Sequence, residues 1–238
     1  MIPQKGAWQV IGDRKKDILD ILKRTWIADG LSDVEMEHML DADYVRLVRY
    51  PKGSIIFDED TKPDRLLMLV KGRVTIQKDT FLGRRIFLGE VNMPGDLFGE
   101  VYMFLSRGSY DMYTEAAADT ELLEISMKIF DVEDREEAIR LQRNLLRILS
   151  AKAFALHNKV KVLASGTLRE KIARMLFQLP HTGSTIMLPE NREATAAYLA
   201  VSRPSLSREL GQMQQDGLIK VDGRKIVISD PARIEQYL

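Results

Sequence analysis

Between Val201 and Arg208 the chain reads VSRPSLSR, two arginines and three serines in eight residues, and it continues to Ile219 as ELGQMQQDGLI. Guanidinium and hydroxyl groups crowded at the start of a helix are suited to hydrogen bonding with polar edges and anions. The spacing predicts where they point. Ser202 can cap the helix, its side-chain oxygen accepting a backbone N–H. Pro204 falls in the first turn, where its missing N–H costs nothing. Leu206, Leu210 and Met213 recur at i, i+4 and i+7 and form a buried stripe. At about 100° per residue, Pro204, Ser207, Arg208 and Gly211 face the opposite way, with Arg203 on the flank.

The elements around this segment give that face a use. Asn191 can cap a short helix that ends near Leu199, and a brief break leads to the Ser202 cap. Two helices joined by a tight turn form a helix-turn-helix, whose second helix offers its N-terminal residues to base edges. Arginine suits that work because its fork bonds O6 and N7 of guanine together, each such pair discriminating by roughly 1–3 kcal/mol. After Gly217, Asp222-Gly223 sits between alternating apolar residues and signals a type I′ hairpin. Lys220, Arg224 and Lys225 cluster near its tip, a wing placed for phosphates. Alone, an Arg/Ser-rich helix is ordinarily a solvated one. The helix before it and the basic hairpin after it favour DNA reading.

Global composition neither helps nor opposes this. The 238 residues are 45% hydrophobic and 29% charged, with 35 basic and 35 acidic side chains, so only a local basic surface could hold nucleic acid. Without cysteine, disulfides, thiolate zinc sites and cysteine-ligated iron–sulfur clusters are excluded. There is no apolar run long enough to span a membrane and no apolar signal core at the N-terminus. A cytoplasmic protein without a membrane partner is expected.

Upstream the chain changes period twice. In the first 30 residues Ile18, Leu19, Ile21, Leu22 and Trp26 form a helical apolar stripe, and Ser32 with Glu35 makes a capping box for a second helix. From about residue 44 to 126, short β-rich runs (GSIIF, RLLMLV, GRVTIQ, RRIFLGEV, GDLFGEVYMF, TELLEIS) are punctuated by glycines, which predicts an antiparallel barrel or sandwich. Residues 133–164 contain no Gly or Pro. Ile139, Leu146, Ala153 and Val160 fall seven apart, as do Gln142, Leu149, Leu156 and Leu163. This a/d seam predicts a helix pair and hence a homodimer. Ser165-Gly166 breaks the helix, and Thr167 with Glu170 caps the next. The expected division is an N-terminal helical extension (1–30), a β-rich effector domain (31–132), a dimerisation helix (133–164) and a winged helix-turn-helix domain (165–238), an α+β chain.

In this order the segments resemble the CRP/FNR superfamily of bacterial transcription regulators over roughly residues 31–230. YPKGSIIFDED, LLMLVKGRVTIQ, MPGDLFGE and ADTELLEIS are similar to strands of its cyclic-nucleotide-binding β-roll. Residues 133–164 resemble its dimerisation helix, and NREATAAYLAVSRPSLSRELGQMQQDGLI resembles its helix-turn-helix. The resemblance implies an allosteric sensor that repositions DNA-binding domains, double-stranded pseudo-palindromic DNA as partner, and RNA polymerase as a further partner of an activator. For the latter, the loop at Pro180–Gly183 and the turn at Lys78–Thr80 are the surfaces implied. It puts Arg203, Ser207 and Arg208 on base-reading positions and Asn191 and Arg192 on phosphate positions. Ser202, Ser205, Lys220 and Arg224 complete the expected DNA contacts. Ala200 stands where the family has a turn glycine, and at φ > 0 an alanine there costs on the order of 1 kcal/mol. Pro204 replaces a glutamate that many members use to read cytosine, so the operator is expected to differ.

The effector is harder to read. The resemblance places its pocket at Gly99, Glu100, Tyr102, Tyr110, Asp111, Met112, Tyr113 and, from the long helix, Leu156 and His157. The cyclic-nucleotide cassette has Gly-Glu, a gap, then Arg and a small polar residue. Gly99-Glu100 matches, but Tyr110-Asp111 stands at the Arg position and Leu156 replaces a threonine that bonds adenine. A phosphodiester needs cations or donors, and Asp111 would repel it, so cAMP is not expected. Arg107 could supply charge only under a shifted register. Haem would need an axial ligand such as His38, His157 or His181, each of which reads as a surface or cap residue. What remains is an unknown small molecule in an apolar-aromatic pocket, or side chains that simply fill the roll. No metal site or catalytic constellation stands out, so no enzyme is expected. The rival to a DNA regulator is a ligand-binding regulatory module without DNA binding, which would not need residues 191–228.

Overall fold

The computed structural model describes residues 7–9, 11–105, 108–130, 135–188 and 191–238. They form two compact units, one up to Leu149 and one from Ser150 to Leu238.

The first unit is built on β-strands with short helices. In chain order come β1 (Ala7–Gln9), α1 (Lys15–Leu22), α2 (Asp33–Asp41), β2 (Val45–Tyr50), β3 (Ile55–Phe57), β4 (Arg65–Lys71), β5 (Val74–Asp79), β6 (Arg85–Val91), β7 (Leu97–Phe98), α3 (Glu100–Met103), β8 (Tyr113–Ala116) and β9 (Thr120–Ser126). The strands make two antiparallel sheets, β1-β2-β9-β4-β7 and β3-β8-β5-β6. The run RLLMLV lies in β4, whose interior Leu66–Val70 is apolar throughout because it separates two cores. Leu66, Met68 and Val70 face one with Ile18, Leu22, Leu47 and Leu123, while Leu67 and Leu69 face the other with Phe57, Phe98 and Tyr110. Alternate side chains of a strand serve opposite faces.

The segment before residue 31 is not an appendage, since Ile18, Leu22 and Ile27 are buried in the first of these cores. Trp26 departs from the expected stripe. It lies beyond α1 in a 3-10 turn, is 47% exposed, and has the Arg147 guanidinium over its ring, 4.5 Å from the centre. The Ser32–Glu35 capping box forms at the start of α2 as the sequence predicts. GDLFGEVYMF, by contrast, is strand only at β7 and then turns into α3 behind Gly99, whose φ of +80° is open to glycine.

The long helix α4 (Arg135–Leu163) runs through the predicted dimerisation segment; residues 131–134 lie outside the described ones. Its seam divides by burial. Ile139, Leu146, Leu156 and Val160 are 45–63% exposed, and Ala153 is exposed too. Leu149 is instead half-buried against the core of the first unit.

The second unit contains α5 (Leu168–Gln178), β10 (His181–Thr182), β11 (Thr185–Met187), α6 (Arg192–Tyr198), α7 (Arg203–Gln215), β12 (Ile219–Asp222), β13 (Lys225–Ile228) and α8 (Pro231–Ile234). Thr167 caps α5 with the predicted Glu170 box. The antiparallel sheet β10-β11-β13-β12 holds the Pro180–Gly183 loop as a small hairpin. Among the described residues no helix is long and apolar enough to cross a membrane, and no group of metal-ligating side chains is gathered.

Candidate nucleic-acid interface

Helix α6 begins at Asn191, whose Oδ1 accepts the Ala194 N–H at 3.0 Å. It ends in a Schellman turn: Val201 N donates to Ala196 O at 3.0 Å and Ala200 N to Ala197 O at 3.1 Å. The residue that must turn left-handed there is Ala200, at φ +56°, and it is the one non-glycine among the described residues with positive φ. Helix α7 ends in the same motif, with Gly217 at φ +75°, Leu218 N on Met213 O and Gly217 N on Gln214 O. Two copies of one turn thus carry alanine in one case and glycine in the other.

Helix α7 starts at Ser202, whose Oγ accepts the Ser205 N–H at 3.2 Å, with Pro204 in the first turn. Leu206, Leu210 and Met213 are fully or almost fully buried, against Leu199, Ile172, Leu176 and Ile226. Each such side chain contributes roughly 1.5–3 kcal/mol by burial, which fixes the rotation of the helix. Arg169 holds its flank through Glu209 (Nε–Oε1 2.6 Å) and Asp216 (Nη1–Oδ2 2.7 Å). The hydrogen bond with the Tyr237 hydroxyl, then those with Glu209 and Asp216, raise the Arg169 pKa above its ordinary value.

The opposite face is open. Ser202, Arg203, Pro204, Ser207, Arg208 and Gly211 are all exposed. Ser205 is half-buried and belongs to the cap, with its Oγ 2.8 Å from that of Ser202 and accepting Arg208 Nη2 at 3.4 Å. Arg203 Nη1 lies 4.0 Å from Glu193 Oε2.

The hairpin β12–β13 stands beside this face. Asp222 pairs with Lys225, so its two turn residues are Gly223 and Arg224, one later than the sequence suggested. Only the first has positive φ, the pattern of a type II′ turn rather than I′. Arg192 on α6 donates from Nη2 to Gly223 O at 2.8 Å. Arg224 donates from Nε to Leu188 O at 2.9 Å, and Leu188 N returns a bond to Arg224 O. Two residues read as phosphate contacts therefore also pin the wing to its neighbours. Sequence carries no signal for this, because both acceptors are backbone carbonyls. Burial lowers the Arg192 pKa from its ordinary value. Lys220 and Lys225 are exposed on the wing. Asn191, Arg192, Glu193, Arg203, Gly223 and Arg224 line a depression of about 420 Å³. Glu193 was not a sequence candidate, since an acid in the first helical turn is ordinary.

In the β-roll, the predicted effector residues are gathered only in part. Tyr110 is 3% exposed and stacks on Phe57 with ring centres 3.8 Å apart and 15° between planes. Tyr102 tilts against it at 5.0 Å, and Met112 packs on the same cluster. A Cβ added at Gly99 would come within 3.3 Å of the Tyr110 hydroxyl. Burial pushes the Tyr110 phenol well above its usual pKa. Glu100 is buried. Asp111 is exposed and accepts from the Tyr102 hydroxyl and from Lys78 Nζ at 3.3 Å. Tyr113 donates to Asp79 Oδ1 at 3.2 Å. Leu156 and His157 are exposed on the part of α4 in the second unit. Arg107 lies outside the described residues.

Comparison with known proteins places both parts. Residues 47–132 match the cyclic nucleotide-binding domain, and residues 170–237 match the Crp-like helix-turn-helix domain. A CRP-like cAMP-activated global transcriptional regulator of Mycobacterium tuberculosis is 24% identical over 229 residues, covering 90% of this chain and 97% of its own. The cAMP-activated global transcriptional regulator Vfr of Pseudomonas aeruginosa is 28% identical over 192 residues, covering 76% of this chain and 87% of its own. A CooA mutant from Carboxydothermus hydrogenoformans shares the fold with a TM-score of 0.56 at 20% identity, over 82% of this chain and 88% of that one.

Proposed function

The chain belongs to the CRP/FNR superfamily of DNA-binding transcription regulators, and we propose that it reads a pseudo-palindromic duplex as a homodimer under a small-molecule effector other than cAMP. One observation carries the reading: Arg203, Ser207 and Arg208 stand exposed on one face of a helix whose other face is buried, beside a wing that supplies Lys220, Arg224 and Lys225. Base contacts from such a helix specify, and the basic wing positions on phosphate.

The exposed seam of α4 supports the dimer. Apolar side chains repeating every seven residues and left in solvent by one chain are covered by a second helix. Two-fold symmetry then sets the half-sites about 34–36 Å apart, in successive major grooves. The roll supports an effector without phosphate. Tyr110 fills the interior where the related cassette carries arginine, and the next residue, Asp111, is an exposed acid paired with Lys78 rather than a phosphate donor. No step of this reading calls for catalysis, and the relatives are transcription regulators.

Selection from a pool of random duplexes tests it. Enriched sequences should show two inverted half-sites centred about 10–10.5 base pairs apart. Enrichment of a single asymmetric site, or of none, would contradict the reading.

A further inference from the structure

Helix α7 carries a glycine that the protein's own packing does not call for. Gly211 lies in the body of the helix, well before its Asp216 cap, and the helix runs unbroken through it. Among the described residues it is the one glycine inside an α-helix. Gly183, Gly217 and Gly223 in the same unit hold positive φ, a conformation that favours glycine, and Gly211 does not. Crowding does not require it either. A Cβ placed there meets open space: apart from its chain neighbours no side chain comes within 4 Å, and no other element does. In an exposed helix interior glycine is less stable than alanine, because it gives up more chain entropy on folding. The chain therefore keeps a destabilising residue at a position with room for a side chain.

What lies next to it on the helix supplies a reason. Gly211 is exposed on the face of Ser207 and Arg208, which stand four and three residues earlier and so adjoin it on the helix surface. A helical Cα–Cβ bond leans toward the N-terminus, so a side chain covers the turn before its own Cα. Any side chain at 211 would stand beside Ser207 and Arg208, between the helix and whatever is laid against it. A major groove about 12 Å wide takes a helix about 10–12 Å across with little room to spare. A hydrogen bond is lost once donor and acceptor part beyond about 3.5 Å. We infer that Gly211 is a specificity-determining residue of the DNA interface, whose missing side chain lets the duplex seat closely enough for Ser207 and Arg208 to reach base edges. Phosphate contacts from Lys220 and Lys225 on the wing depend on that seating less, since their long flexible stems can follow the duplex. The inference rests on the DNA-reading role of α7.

Gly211→Ala tests this, because fold and binding should move in opposite directions. In the full chain the melting midpoint of the second unit should rise by about 2–8 °C, from the better helix propensity of alanine. Affinity for the selected duplex should fall about tenfold, the size of one good base contact. Affinity for a scrambled duplex should change by less than about twofold, so the specificity ratio falls. Gly211→Gln, a larger residue that also favours helix, should lower the ratio further. In an Arg208→Ala background Gly211→Ala should cost less on the selected duplex, since a contact it disturbs is already gone. A midpoint that falls would show that the fold itself needs the glycine, and would overturn the inference. So would an unchanged ratio, equal weakening of both duplexes, or an undiminished cost in the Arg208→Ala background. Each of these leaves DNA reading by α7 intact. A native protein that does not distinguish the two duplexes would overturn both.

Discussion

Ala200 offers a prediction whose sign is set by one backbone angle. It occupies the left-handed position of the turn between α6 and α7, at φ +56°, with its side chain exposed. For an L-residue with a Cβ, that conformation costs roughly 1–2 kcal/mol. Ala200→Gly removes the cost but frees the unfolded chain, which takes back about 0.4–1 kcal/mol. The net is a gain of about 0.5–1 kcal/mol in the second unit, with no contact altered. For a cooperative unit of roughly 60–100 residues, that raises the melting midpoint by about 2–8 °C. Two controls sharpen it. Ala197→Gly makes the same chemical change in the right-handed body of α6 and should destabilise by about 0.5–1 kcal/mol. Gly217→Ala, at the equivalent turn of α7, should destabilise by roughly 1 kcal/mol. Scanning calorimetry of the full chain, with urea unfolding as a second measure, reads all three. A midpoint that falls in Ala200→Gly would refute the reasoning, as would equal effects at positions 197 and 200.

Other expectations follow from particular contacts. Leu146→Lys with Leu156→Lys places charges on the exposed seam and should yield folded monomers in sedimentation velocity; dimers that persist would rule out this seam. Leu149 is unsuited to that test, because it packs on the first core and a lysine there would unfold the roll. Calorimetry with micromolar cAMP should give no isotherm, because Tyr110 is buried in the roll and the next residue is an acid, Asp111, paired with Lys78; a clear isotherm would contradict the account of this loop. Arg224→Ala should weaken specific and scrambled duplexes alike and lower the salt slope by about 1; a loss confined to the specific duplex would make it a base reader.

Much of the helix-turn-helix is legible in the sequence because its signals are local. Asn191, Ser202 and Pro204 announce helix starts through side chains that act within one turn, and the spacing of Leu206, Leu210 and Met213 fixes which face is buried. The same holds for the Ser32 and Thr167 capping boxes. What local patterns miss is set by tertiary partners. Nothing in YDM around Tyr110 says that its ring will stack on Phe57, more than fifty residues earlier, rather than line an open pocket. The engagement of Arg192 and Arg224 with carbonyl groups is equally silent. The wing turn slipped by one residue because Asp222-Gly223 satisfies a type I′ pattern by composition, while the ladder pairs Asp222 with Lys225. The α4 seam was readable as a period, but the half-burial of Leu149 was not, since it depends on the core beneath it.

The central claim is that the exposed face of α7 reads bases, and Arg208 tests it most directly. Affinities of the native protein and of Arg208→Ala are titrated on the selected duplex and on a scrambled one, each at two salt concentrations. The account predicts a loss of roughly 1–3 kcal/mol on the selected duplex, with the scrambled duplex and its salt slope nearly unchanged. Equal weakening on both duplexes, with a flatter salt slope, would make Arg208 a phosphate clamp and contradict the claim.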